Sequence, residues 1–359
     1  MLNFTVGPVM MDDCVRAIGG DQIPYFRTPE FSRIMLENEK RMCAYFGAES
    51  GARTIFLTGS GTAAMEAAVV NTLTGKDKVL VVNGGSFGQR FCDICRVHSL
   101  RYEAIVCEAG KTLTAAQLAP YENKGFTAFL VNLGETSTGV LYDISLIADF
   151  CRRNGLFLIV DSISSFLADP FSMQECGADI VLTGSQKALA LAPGLSVLCC
   201  NRRAQERIAQ TEAHSLYFDL KSYLCDGERG QTPFTPAVSV LLQMHARLRE
   251  IEARGGVDEE VHITSQRAVY FRKGIEKLPF ALFADRPSAA VTALTLTDPE
   301  KSAYRVFEVL KDEYGIFVCP NGGALKNRVF RVGHIGALRN ADYDRLLDAF
   351  GKLAARGVI

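Results

Sequence analysis

Residues 157–189, FLIVDSISSFLADPFSMQECGADIVLTGSQKAL, decide how the chain folds. Two short apolar runs, Phe157–Val160 and Ile180–Thr183, lack the polar alternation of a half-solvated strand, so each reads as a strand buried on both faces. Polar residues follow each run: Asp161-Ser162 after the first, Gly184-Ser185-Gln186-Lys187 after the second. Outward from this stretch the same unit recurs. Thr54–Leu57, Lys78–Val82, Thr127–Asn132 and Ser196–Cys199 are further candidate strands, with helix-length segments such as Thr62–Leu73 and Ile144–Arg153 between them. Alternating strands and helices predict an α/β architecture with an open, mainly parallel sheet and helices on both faces.

Beyond this region a charged amphipathic stretch, Val238 to Leu278, predicts long helices leaving the sheet. Val291–Leu296, Arg305–Tyr314, Val329–Val332 and a closing helix over Asp342–Arg356 predict a smaller α+β domain. Gly255-Gly256 is the only obvious punctuation, so the expected division is an N-terminal segment (1–20), a large domain (21–255) and a small domain (256–359).

With 359 residues, two domains are the natural expectation. Thirty-nine basic and 40 acidic residues leave a formal charge of −1, which gives no reason to expect nucleic acid or an anionic membrane as partner. No apolar run reaches the ~18 residues of a membrane span, and Met1–Met11, punctuated by Gly7-Pro8, does not read as a signal peptide. The 11 cysteines are odd in number and scattered, which suits reduced core residues of a cytoplasmic protein. Cys92 and Cys95 form one CxxC without a second pair or a spaced His, so they read as two residues on one helix face and no metal site is expected.

Ligands of an open parallel sheet sit outside the carboxyl ends of its strands. The polar clusters that follow the candidate strands are Thr58-Gly59-Ser60-Gly61-Thr62, Asn83-Gly84-Gly85-Ser86-Phe87, Glu135–Gly139, Asp161-Ser162 and Gly184–Lys187, and they should converge on one pocket. Gly59–Thr62 opens a helix, where free backbone N–H groups suit a phosphate. A dinucleotide reading of Gly59-x-Gly61-x-x-Ala64 fails because the next strand ends at Asn83 where an acidic residue belongs. A phosphate-binding Gly-Lys-Thr reading of Gly110-Lys111-Thr112 fails because Ile105 stands where the first Gly should. Lys187 lies in an almost chargeless stretch from Ile180 to Asn201, so it should be buried, with a lowered pKa and nucleophilic character toward carbonyls. Asp161 at one strand end and Lys187 after the next is the pair a pyridoxal cofactor needs: an amine for its aldehyde and a carboxylate for its pyridine nitrogen.

These residues carry a resemblance. Gly134-Glu135-Thr136-Ser137-Thr138-Gly139, Val160–Ser165 and Thr183–Leu189, in this order, resemble the class V (fold type I) pyridoxal-phosphate aminotransferases, in the group of alanine–glyoxylate, serine–pyruvate and 2-aminoethylphosphonate–pyruvate transaminases. The resemblance runs from Phe4–Pro8 to Phe330–Gly333. It implies a large domain with a seven-stranded, mainly parallel sheet plus a smaller C-terminal domain. It also implies pyridoxal 5′-phosphate, with Lys187 as the Schiff-base lysine, Asp161 on the pyridine nitrogen and Phe87 stacked on the ring. Ser60, Gly61, Thr62 and Gln186 are implied at the phosphate, with Thr136 and Ile163 along the ring. Arg331 is implied at the substrate carboxylate, which a planar guanidinium fork binds through two parallel hydrogen bonds. Gly7 is implied at the substrate border. A homodimer is implied, with Thr235 or Thr232 reaching the partner's phosphate. Tyr25 and Arg27 are candidate substrate contacts, and Arg90 has no assigned place.

The implied reaction is ping-pong transfer of an amino group from alanine, serine or a similar donor to glyoxylate or pyruvate. Aminoethylphosphonate is the alternative donor. Cysteine desulfurases share the fold, but they carry His before the lysine where this chain has Gln186, and nothing around Cys225 argues for a reactive thiol. A cofactor-binding relic without activity would have no need of Lys187, Asp161 and Arg331 together.

Overall fold

The computed structural model describes residues 1–359. The large sheet has seven strands: β1 (Arg53–Thr58), β2 (Lys78–Asn83), β3 (Arg101–Val106), β4 (Ala128–Asn132), β5 (Phe157–Asp161), β6 (Ile180–Gly184) and β7 (Leu195–Cys200). Their spatial order is β1-β7-β6-β5-β4-β2-β3. From β6 to β3 every pair is parallel, whereas β7 runs antiparallel to both neighbours. Strands β4 to β7 are buried at every position, which explains why their sequences show no polar alternation.

Alternate residues of each strand feed two different cores. Phe56, Leu80, Phe129, Leu158 and Val181 pack on one face, with the helix Pro29–Tyr45, the helix Ile144–Asn154 and the helix Val238–Arg254. Ile55, Val81, Leu130, Ile159 and Leu182 pack on the other, under the helix Gly61–Thr72 and the helix Ser86–Val97. Cys92 and Cys95 lie on the buried face of that last helix, where burial raises their thiols to about 11 and about 12. They are packing residues, as their spacing suggests.

Strand β3 is the one strand of this sheet without a sequence signal. It is an edge strand whose Arg101, Glu103 and Val106 are exposed, and charge on an open edge discourages pairing with another chain. That same charge hides it from any search for apolar runs.

The second sheet is antiparallel and has four strands: β8 (Phe280–Leu282), β9 (Val291–Leu296), β10 (Cys319–Pro320) and β11 (Val329–Gly333), in the order β8-β9-β11-β10. With the helices Ala303–Tyr314 and Asn340–Ala355 it encloses its own core, centred on Leu294, Phe330 and Phe350. The chain's first residues belong to this core. Leu2–Asn3 pairs in parallel with Ile316–Phe317, and Leu2 and Phe4 are buried there. Two long helices, Val238–Arg254 and Val257–Gly274, connect the two sheets and break at Gly255-Gly256, whose φ values are +120° and +82°. Only glycine adopts that pair of conformations without strain.

Candidate active site

The carboxyl ends of β1, β2, β4, β5 and β6 place the five polar clusters around one spot. Lys187 follows β6 in a turn pinned to β7: Ser185 N–H donates to the Leu195 carbonyl at 2.9 Å, and Leu195 N–H donates to Ser185 Oγ at 3.2 Å. The lysine is 8% exposed. Burial lowers its pKa to about 8, with Arg331 and Arg90 acting in the same direction and Asp161 opposing. Gly7 closes this side. Its φ is +139°, and a Cβ there would stand 2.8 Å from Lys187 Cδ and 3.1 Å from Nζ.

Asp161 ends β5 and is 1% exposed. Its Oδ1 accepts from Ile163 N–H at 2.8 Å and its Oδ2 accepts from Asn132 Nδ2 at 2.9 Å. Asn132 is the register partner of Asp161 on β4. Burial outweighs these bonds and raises the carboxyl to about 6. Ile163 also lies against the phosphate-loop candidate, since a Cβ on Gly61 would meet its Cδ1 at 2.3 Å.

Ser60 precedes the helix Gly61–Thr72, and its side chain makes no capping bond. The first-turn amides of a helix have no partners within it, so Ser60, Gly61 and Thr62 offer a cluster of donors. Arg90, unplaced by the sequence, donates from Nη1 to Thr62 Oγ1 at 3.1 Å and stacks its guanidinium 4.7 Å from the Phe87 ring centre. Lys187 Nζ lies 5.9 Å from the same ring.

Thr136 is buried, and its carbonyl accepts from Arg331 Nη1 at 3.0 Å. Arg331 Nη2 donates to the Pro320 carbonyl at 2.7 Å, while Nε is buried without a partner. Cys319 is the register partner of Arg331. Beside it, Asn321 Nδ2 donates to the Ser137 carbonyl at 3.1 Å. Gln186 keeps a buried, unpartnered Oε1, and so does Asn132 with Oδ1.

Four expected residues make no hydrogen bond to this cluster within the single chain. Thr235 is exposed, whereas Thr232 is buried and spends its hydroxyl on the Phe234 carbonyl at 2.7 Å. Tyr25 and Arg27 lie on an exposed stretch, with Arg27 packed on the neighbouring Phe26 ring. The sequence reading did not single out Asn132 or Asn321, and it quoted Glu135 without a role. A polar residue ending a strand beside the Asp161 strand was the available signal for Asn132. Glu135 and Asn321 act across the fold and leave no local sign.

A buried amine near neutrality, a buried carboxylate, an aromatic plate, a helix-end cluster of donors and an arginine fork define a site for amino-group chemistry on a fold type I scaffold. Residues 25–324 match the model of the aminotransferase class-V family, and the chain belongs to that family. It is 28% identical to an alanine–glyoxylate aminotransferase of Felis catus, over 98% of this chain and 86% of that protein. It is 29% identical to an L-aspartate–glyoxylate aminotransferase of Paracoccus denitrificans, over 94% and 87% of the two chains. A protein named soluble hydrogenase 42 kDa subunit, of Anabaena cylindrica, is 30% identical over 88% of this chain and 83% of its own length. Among solved structures, an aspartate aminotransferase of subgroup IV from Thermus thermophilus superposes with a TM-score of 0.91, at 27% identity and 99% coverage of both chains. The chain is an aminotransferase. No group of three or more His, Cys, Asp or Glu side chains is disposed to hold a metal, and no helix is long and apolar enough to cross a membrane.

Proposed function

We propose that the enzyme uses pyridoxal 5′-phosphate, held through Lys187, to move an amino group from a small amino acid to a small 2-oxo acid such as glyoxylate or pyruvate. The observation that carries this reading is the meeting of Lys187, Asp161 and Phe87 with Arg331 in one site. The residues fit the cofactor. Ser60 and the open helix end of Gly61–Thr72 suit its phosphate, and Gln186 Oε1 and Asn132 Oδ1, beside Lys187 and Asp161, are buried with acceptor capacity to spare.

Pyridoxal phosphate, when bound, supplies the electron sink that lets the substrate's Cα–H bond break. Lys187 would hold the cofactor through Nζ at its carbonyl carbon. Its amine, with a pKa near 8, would carry the proton from and back to the substrate. Asp161 would place a negative charge for the ring nitrogen. Phe87 would cover the ring, and Ile163 and Thr136 would border it. Arg331 receives the substrate carboxylate through its fork, with Gly7 leaving room beside the lysine.

The names of the relatives favour alanine or aspartate as donor and glyoxylate as acceptor. A homodimer completes the site in this reading. Thr235, exposed and with a free hydroxyl, would reach the partner's cofactor phosphate, while Thr232 is committed to its own turn. The scattered free cysteines suit a reducing cytoplasm.

The test is a set of spectral half-reactions of the purified holoenzyme with alanine, serine, aspartate, 2-aminoethylphosphonate and cysteine. Bleaching of the visible Schiff-base band by an amino acid, with release of its oxo acid, identifies the donor. Bleaching by the phosphonate alone would replace the carboxylate reading of Arg331, and sulfide release from cysteine would replace transamination. A Lys187→Ala variant that kept both band and turnover would sink the assignment.

A further inference from the structure

Glu135 is buried, 1% exposed, and makes no ion pair. Both of its carboxylate oxygens are nevertheless used. Oε2 accepts from Phe87 N–H and from Gly88 N–H, each at 3.1 Å. Oε1 accepts from Ser137 N–H at 3.1 Å and from Ser137 Oγ at 2.5 Å, and that hydroxyl in turn accepts from Ser86 N–H at 3.1 Å. The three amides belong to the first turn of the helix Ser86–Val97, whose positive end favours a negative charge. The fit leaves no slack. A Cβ on Gly85 would come within 2.3 Å of Ser137 Oγ and 2.5 Å of Glu135 Cδ, and a Cβ on Gly88 within 2.5 Å of the Val82 carbonyl.

A cap on any helix end satisfies amides. What sets this one apart is the residue it grips, because the backbone held by Oε2 carries the ring that faces Lys187. We infer that Glu135 is a positioning residue for the cofactor: through the amides of Phe87 and Gly88 it sets the height and tilt of the Phe87 ring against the cofactor plane. Its carboxylate touches neither cofactor nor substrate and acts only through Phe87. Arg90 braces the same ring from its other contact at Thr62. The inference rests on the pyridoxal-phosphate reading of the site.

The test measures the dissociation constant of pyridoxal phosphate by equilibrium dialysis, and the induced circular dichroism of the bound cofactor. The chains compared are wild type, Glu135→Gln, Phe87→Ala and the double variant. Glutamine keeps the shape but turns one acceptor oxygen into a donor facing Ser137 N–H. Glu135→Gln should weaken binding about tenfold, as expected for hydrogen bonds to a charged group, and should alter the induced dichroism. In the Phe87→Ala background the same change should shift binding less than about twofold, because residues acting through one another are not additive. Equal weakening in both backgrounds, or no change in wild type, would overturn the inference. Should Glu135→Gln fail to fold, Ser137→Ala, which removes one support of the same carboxylate, must show the same dependence on Phe87 with a smaller change of about threefold. Failure of the wild-type chain to bind the cofactor would count against the pyridoxal reading itself. Normal wild-type binding with additive variants would count against the role of Glu135 alone.

Discussion

Lys187, Asp161 and Phe87 stand at or just beyond strand ends of the large, mainly parallel sheet, whereas Arg331 and Asn321 come from the small antiparallel sheet and the residue that follows it. The first wall carries groups that burial has moved off their ordinary pKa, the lysine down to about 8 and the aspartate up to about 6. The second wall carries hydrogen-bond donors that are tied to the first through main-chain carbonyls of Thr136 and Ser137. On the proposed reading, reactivity would come from desolvation on one side and recognition from a planar fork on the other. The two walls meet at Gly134–Gly139.

If that division is right, substitutions on the large-sheet wall should destroy turnover and those on the small-sheet wall should mainly change substrate affinity. Lys187→Ala should lower kcat by about 10⁴-fold or more, measured as oxo-acid formation, because it removes the group that carries the proton. Asp161→Asn should lower kcat by roughly 10³-fold, because it removes a charge aimed at the reacting system. Arg331→Lys should raise KM for the amino donor about 10- to 100-fold and change kcat less, because a point charge replaces a fork. If kcat fell as far for Arg331→Lys as for Asp161→Asn, the separation of roles would not hold.

The buried lysine also makes a stability prediction for the cofactor-free chain. Its pKa lies near 8 in the folded protein and 10.5 ordinarily, so the folded state binds fewer protons between those values. Below pH 8 the charged amine is held at a cost of about 3 kcal/mol. That cost is relieved as pH rises from 8 toward 10.5. Lys187→Met should therefore stabilise the apoenzyme by up to about 3 kcal/mol at pH 7 in urea unfolding, with the gain shrinking above pH 8. The rate at which the wild-type apoenzyme captures pyridoxal phosphate should rise through pH 8, as the amine loses its proton. The smallest effect is expected where the walls touch. Gly139 has φ +80°, and a Cβ on it would lie 2.9 Å from that of Ala293, so Gly139→Ala should destabilise by about 1–2 kcal/mol.

The legible parts of the site were those written locally. Phe157–Asp161 and Ile180–Lys187 announce a strand and its functional end within a few residues, and the absence of charge around Lys187 already implied its burial. The grip of Glu135 on Phe87 spans 48 residues and the Arg331–Thr136 bond spans 195, and neither has a local trace. Strand β3 escaped for the opposite reason, since an exposed edge has no apolar run to read. The same holds for β8 and β10, which are two or three residues long and are strands only because β9 and β11 pair with them.

The segment Gly134–Gly139 also constrains how this lineage can change. Its side chains hold the helix that bears Phe87, while its carbonyls receive Arg331 and Asn321 and the Ser288 amide. An inserted or deleted residue there would disturb both walls together. Its length should therefore stay fixed among descendants of this chain, and new substrate preferences should arise from Cys319–Asn321 or from Tyr25–Arg27, where one change alters one wall.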